Sequence, residues 1–140
     1  MITTIFTKGI DMERQNFAGN SPFESVIGYS RIVKVGPFIY IAGTTATNAE
    51  GKIIGVGDAY AQTVQIFLNI EAALNRAGAS LKDVVRTRMY IVSSDHSEAV
   101  GRAHGEFFKD IRPVAAMIEV KGFISPEMLV EIEADAVLTE

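Results

Sequence analysis

The chain has 140 residues, 48% of them hydrophobic, a formal net charge of −4 and no cysteine. That length and apolar share suit one compact domain over residues 1–140, large enough to bury its own core. The acidic balance and lack of any Lys/Arg run argue against a nucleic-acid-binding face, no run nears the roughly 18 to 20 apolar residues of a membrane span, and disulfides are impossible.

The opening MITTIFTKGIDMERQNF lacks the basic start and continuous apolar core of a signal peptide, so a cytoplasmic location is expected. In YSRIVKVGPFIYIAGTTA, Ile32, Val33 and Val35 precede a Gly36-Pro37 turn signal and Phe38 to Ile41 follow it, which predicts a β-hairpin. A second turn at Asn48 to Gly51 leads to a short strand around Ile53 and Ile54. From Asp58 the period becomes helical: Tyr60, Val64, Phe67, Leu68, Ile70 and Leu74 form a stripe, with Asp58 as N-cap and Gly78 just past the C-terminus. SLKD at 80–83 reads as a capped turn.

VVRTRMYIV at 84–92 is a strand with Val85, Thr87, Met89 and Ile91 on one face and Arg86, Arg88 and Tyr90 on the other. After Asp95 a second helix carries Val100, Ala103, His104, Phe107 and Ile111 on its apolar stripe, and Pro113 marks its end. The closing strands are Val114 to Val120 and Leu129 to Leu138. In the last of them, Val130, Ile132, Ala134 and Ala136 alternate with Glu131, Glu133 and Asp135. Arg86 and Arg88 are the cations to answer those carboxylates if their strand is a neighbour; otherwise Glu133 and Asp135 form a solvated ladder. Strand pairs alternating with helices make this an α+β chain with both helices on one face of the sheet.

Familiar catalytic patterns are missing. His96 and His104 have neither HExxH spacing nor cysteine partners, so no metal site is expected. GVGDA at 55–59 lacks both the third glycine of a dinucleotide loop and the lysine of a P-loop, and reads as a turn and cap. Ser93 to His96 starts a helix and is not a triad, since neighbours in sequence rarely converge on one point. His104, on an apolar stripe, reads first as a partly buried histidine hydrogen-bonded to the backbone.

Three blocks, RIVKVGPFIYIAGTTA, GDAYAQTVQIFLNIEAALNRAGASLKDVVRTRMYI and VEIEADAV, resemble the RidA/YjgF family, also called the endoribonuclease L-PSP family, over about residues 28 to 138. The resemblance implies a chorismate-mutase-like fold with a mixed six-stranded sheet backed by two helices. It also implies a homotrimer with small-molecule clefts between subunits, and no nucleic-acid or membrane partner. The activity implied is hydrolysis of reactive enamines and imines to a keto acid and ammonia, without cofactor or metal. An arginine in a Pro-x-Arg-Ser pattern then binds the substrate carboxylate, a carboxyl group manages water and protons, and a tyrosine completes the pocket.

Of those residues, Tyr29, Gly43 and Glu131 match. The arginine position is Ala115, in Pro113-Val114-Ala115-Ala116. Met117 stands where a polar or thiol residue is expected, Ala42 where a serine is, and Gly101 where an asparagine is. Loss of the arginine removes charge-assisted hydrogen bonds worth roughly 1.5 to 3 kcal/mol each. Arg112, expected to be extended because Pro113 follows it, and Arg102, beside Gly101, are the candidates to replace it unless they are solvated surface arginines. His104 and Glu131 would then be an acid/base pair approaching one cleft. Three classes of function remain: a hydrolytic deaminase, a non-catalytic small-molecule binder favoured by Ala115, and a ribonuclease or translation inhibitor that the acidic charge disfavours.

Overall fold

The computed structural model describes residues 9 and 12–139, so most of the opening segment weighed above as a leader lies outside the described residues. Among the described residues six strands and two main helices run as β1 (Arg14–Phe17), β2 (Ile32–Val35), β3 (Phe38–Thr44), α1 (Ala59–Arg76), β4 (Val84–Ile91), α2 (Ser97–Phe108), β5 (Val114–Glu119) and β6 (Val130–Val137). They form one mixed sheet in the order β1-β2-β3-β6-β4-β5. Only β4 and β5 pair in parallel, as their connection through α2 allows. β1 is a strand that hydrophobic patterning did not predict, because Arg14, Gln15 and Asn16 give it no apolar alternation. The strand expected at Ile53 is reduced to an isolated bridge with Thr47.

Side-chain alternation divides the sheet. Ile32, Ile39, Ile41, Thr87, Met89, Ile91, Val130, Ile132, Ala134 and Ala136 point toward the helices and are buried. They pack with Ile66, Phe67, Ile70 and Leu74 of α1 and Val100 and Phe108 of α2 as one core. Alternation along β4 is interrupted between Val84 and Arg86, where the register to β6 shifts. Val84 therefore turns inward and Val85 outward, the reverse of the placement that strict alternation gives.

α1 starts where Asp58 accepts a hydrogen bond from the Ala61 amide at 3.0 Å. It stops at Gly78, whose φ of 82° permits the paired closing bonds from Gly78 N to Asn75 O and from Ala79 N to Leu74 O. Its stripe is rotated from the predicted one: Leu68 is exposed, while Gln62 is fully buried. The Gln62 amide bonds the carbonyls of Gly55 and Glu127 and receives the Leu129 amide, tying two loops to the helix. Ser80 and Asp83 form the expected capping box.

α2 ends at Phe108, well before Pro113. The chain leaves it through Arg112, whose amide bonds Phe108 O at 2.8 Å with φ at +57°. Arg112 is thus left-handed and not extended as expected, because closing the helix end outweighed the preference set by the following proline. A non-glycine residue there is strained by about 1 kcal/mol. Arg112→Gly is therefore expected to raise unfolding stability by up to about 1 kcal/mol in urea titrations.

Candidate functional site

The sheet face away from the helices carries the polar chemistry. Antiparallel pairing of β4 with β6 sets Arg86 and Arg88 beside the β6 carboxylates. Arg88 Nη1 reaches Asp135 Oδ2 at 3.2 Å and Arg86 Nε the same oxygen at 3.9 Å. Tyr90 donates its hydroxyl proton to Glu133, and that bond, with partial burial and the carboxylate charge, pushes the tyrosine pKa upward.

Glu131 sits where β3 bulges. Ile41 pairs with Ala134 and Thr44 with Ile132, so Ala42 and Gly43 together oppose Glu133. A Cβ on Gly43 would lie 3.1 Å from the Glu131 carboxyl carbon; a larger residue there would push the carboxyl away from the β3 backbone. Burial raises the Glu131 pKa, Glu133 raises it further, and Arg31 opposes the shift. Arg31 is anchored nearby through Nη1, which donates to Gly43 O and to Thr44 Oγ1, each at 3.0 Å. Tyr29, extended after the π-turn Glu24–Gly28, lines a cleft of about 500 Å³ with Arg14, Asn16, Glu24, Ser30 and Val33.

A second group of family-related positions lies on the helix face near the β5 edge. Parallel register places Ala115 beside Thr87 and Met117 beside Met89. Ala115 is exposed, and Met117 Cε lies 4.0 Å from where a Gly101 Cβ would be. His104 Nε2 is 2.8 Å from Thr87 Oγ1, and its ring lies against Phe108 and Phe67, with centroids at 4.8 and 5.6 Å. Burial lowers its pKa. Its hydrogen-bond partner is a threonine side chain and not the backbone expected from sequence.

Within one chain the sheet therefore separates His104, Ala115 and Met117 from Glu131 and Gly43, and brings no acid/base pair of His104 with Glu131 together. Arg102 stacks over the Tyr60 ring at 4.6 Å, while Tyr60 donates to Glu106 at 2.5 Å; these contacts staple α2 to α1. Arg112 is exposed at the head of β5. Among the described residues no cluster of His, Asp or Glu is arranged to hold a metal. The cleft wall of Arg14, Asn16 and Ser30 escaped sequence reasoning, because three polar residues in a row at 14–16 carry no alternation to mark a strand.

The family model described as Endoribonuclease L-PSP matches residues 19–138. The 3-aminoacrylate deaminase RutC of Acinetobacter baylyi is 30% identical over 77% of this chain and 85% of its own. A RutC family protein of Pyrococcus abyssi is 35% identical over 77% of this chain and 84% of its own. Among solved structures, a member of the YjgF/YER057c/UK114 family from Mycobacterium tuberculosis superposes with a TM-score of 0.80 at 44% identity, covering 90% of this chain and 100% of that one.

The buried His104 has a measurable consequence. Its pKa in the folded chain lies below the ordinary 6.5, so the unfolded chain takes up the proton first. Stability from this group is complete above that value and is lost as pH falls through the folded pKa. Urea unfolding from about pH 7.5 down to about pH 5 should show that decline, and His104→Gln should flatten it.

Proposed function

We propose that this chain, which belongs to the Endoribonuclease L-PSP family, is a cofactor-independent hydrolase of imines or enamines, acting in clefts between the subunits of a cytoplasmic homotrimer with a chorismate-mutase-like fold. Each subunit is a single domain. The observation that carries the reading is the Glu131 carboxyl, held above its ordinary pKa by burial against Gly43. A relative named 3-aminoacrylate deaminase adds support for chemistry at a carbon–nitrogen bond.

Hydrolysis of an imine adds water across C=N, breaks the C–N bond, and yields a carbonyl and ammonia. One carboxyl can serve both proton transfers in turn. In its protonated form Glu131 donates to the nitrogen, and as carboxylate it takes the proton of the attacking water. A raised pKa keeps the protonated form available at higher pH than a solvated glutamate would. Tyr29 supplies a hydroxyl to the cleft wall. The trimer is supported by the uncovered sheet face, where Phe38, Tyr40, Val114 and Ile118 are exposed; facing copies would bury it and bring the β5 edge of one subunit toward Glu131 of the next. His104, on the helix side, would then meet that cleft only through the edge it shares with Ala115 and Met117.

Ala115 favours a second reading, a binder of small molecules that does no chemistry, because alanine cannot hold a carboxylate. Nothing among the described residues forms a basic face to support a ribonuclease reading, since Arg86 and Arg88 are drawn to Asp135.

Ammonia release from imines generated in situ by an amino-acid oxidase tests the choice. Wild type is expected to accelerate it, with a loss of about a hundredfold or more in Glu131→Gln. The pH profile should carry an alkaline limb, as Glu131 loses its proton, that the Gln variant lacks. Equal rates in both proteins would remove Glu131 from the chemistry, and a silent wild type would leave the binder.

A further inference from the structure

β2 begins at Ile32, which pairs with Ile41 of β3. One residue earlier, the Arg31 carbonyl still accepts the Ala42 amide at 3.0 Å, and there β3 bulges. A bulge disrupts the regular ladder, and the Arg31 side chain takes over where strand pairing stops. Its Nη1 donates to Gly43 O and Thr44 Oγ1, each at 3.0 Å, and lies 3.5 Å from Ala42 O, to which Thr44 Oγ1 itself donates at 2.8 Å. Three consecutive residues of β3 are drawn to one nitrogen.

Arg31 is braced from behind. Its amide bonds Phe17 O, at the end of β1, at 3.0 Å. Gly19 lets the chain pass close to its stem, since a Cβ on Gly19 would lie 3.2 Å from Arg31 Cβ. Glu24 holds Gly19 in turn, with both carboxylate oxygens accepting from the Gly19 amide at 2.9 and 3.0 Å. On the far side of the bulge, a Cβ on Gly43 would lie 3.1 Å from the Glu131 carboxyl carbon and from its Oε1. One glycine therefore carries the guanidinium on its carbonyl and the candidate acid against its α-carbon.

Among the described residues, the charged and titratable groups around Glu131 come from three strands. Glu133 lies on its own strand, Tyr90 stands opposite on β4 and donates to Glu133, and Arg31 comes from the β2 side. Arg88 is one pair further along, drawn to Asp135. We propose that Arg31 is a positioning residue for Glu131: by closing the β3 bulge from the β2 side, it fixes the Gly43 backbone on which the carboxyl rests and so the direction in which that carboxyl meets a ligand. This role deepens the hydrolase reading and rests on it for the rate, but not for the titration of the carboxyl. Arg31 acts through Gly43. Its charge also opposes burial and Glu133, which hold the Glu131 proton to higher pH. Removing the charge should raise that pH further, while removing the bonds lets the bulge relax.

The test follows the Glu131 side-chain carboxyl of the full-length protein by carbon-13 NMR against pH, assigned by its absence in Glu131→Gln. Beside it, ammonia release from imines generated by an amino-acid oxidase gives kcat, KM and the pH profile. In Arg31→Gln the NMR midpoint and the alkaline limb of the profile should both move to higher pH. Its kcat should fall about ten- to a hundredfold with KM little changed, the loss expected when a reacting group is displaced by up to about 1 Å. Arg31→Lys keeps the charge without the planar fork; it should hold the midpoint near wild type and recover part of kcat. Lys82→Ala removes a cation from a remote turn and should match wild type in both. Should Arg31→Gln lose its native circular dichroism, Thr44→Val takes its place, removing one acceptor of the guanidinium, with the same changes expected at smaller size.

An arginine that only braces the fold would lower unfolding stability and leave the midpoint where it is. An unmoved midpoint in folded Arg31→Gln, or in folded Thr44→Val where that variant stands in, overturns the assignment whatever the activity. The two readings fail separately. A midpoint that moves with Arg31 in a protein that releases no ammonia sinks the hydrolase and keeps the positioning role. Ammonia release that Glu131→Gln abolishes, and that Arg31→Gln leaves unchanged in rate and pH profile, does the reverse.

Discussion

The alternation along β6 is the constraint on which the rest of the structure depends. Val130, Ile132 and Ala134 are wholly buried and Ala136 almost so, and the strand pairs on both sides, with β3 and with β4. A slip of one residue would turn Glu131, Glu133 and Asp135 into the helix-side core and leave three carboxylates without water. Register in the middle of the sheet is therefore fixed. With it are fixed the meeting of Arg88 with Asp135, of Tyr90 with Glu133, and the seat of Glu131 over the β3 bulge. The core and the candidate site are two faces of the same strand.

What could be read in the sequence follows from this division. Elements with strong periodicity declared themselves: the β2–β3 hairpin, α1 with its Asp58 and Gly78 ends, the capping box at Ser80, and the strict alternation of β6. Elements settled by tertiary contact did not. β1 has almost no apolar residue to advertise it and exists because β2 offers an unpaired edge. Val85 was misplaced because a bulge is invisible to a period-2 template. Gln62 looks like a surface residue until the loops at Gly55 and Glu127 supply partners for its amide. Arg112 was expected to be extended from its neighbour alone, but the end of α2 needed its amide.

The candidate site was legible in part, and by resemblance more than by physics. Glu131 and Gly43 are joined by a contact that explains why a glycine stands at that point of β3. His104 was correctly suspected of being a buried histidine with a hydrogen bond, but only the fold reveals Thr87 as the partner and places it across the sheet from Glu131. No spacing rule could have revealed that separation, because it depends on which neighbour β4 takes on each side. Arg102 was available as a cation in the sequence and is engaged in the structure, whereas Arg14 attracted no notice in the sequence and lines the cleft beside Tyr29.

The position of β6 also has a bearing on how the molecule is made. β6 is synthesised after every strand it joins. Until it leaves the ribosome, no strand joins β1 to β3 with β4 and β5. The apolar edges of Phe38 to Ile41 and of Met89 to Ile91 stay open for that interval, when local helices can already form but the long-range pairing cannot. A nascent chain stalled before Val130 would thus lack the one strand that covers both edges.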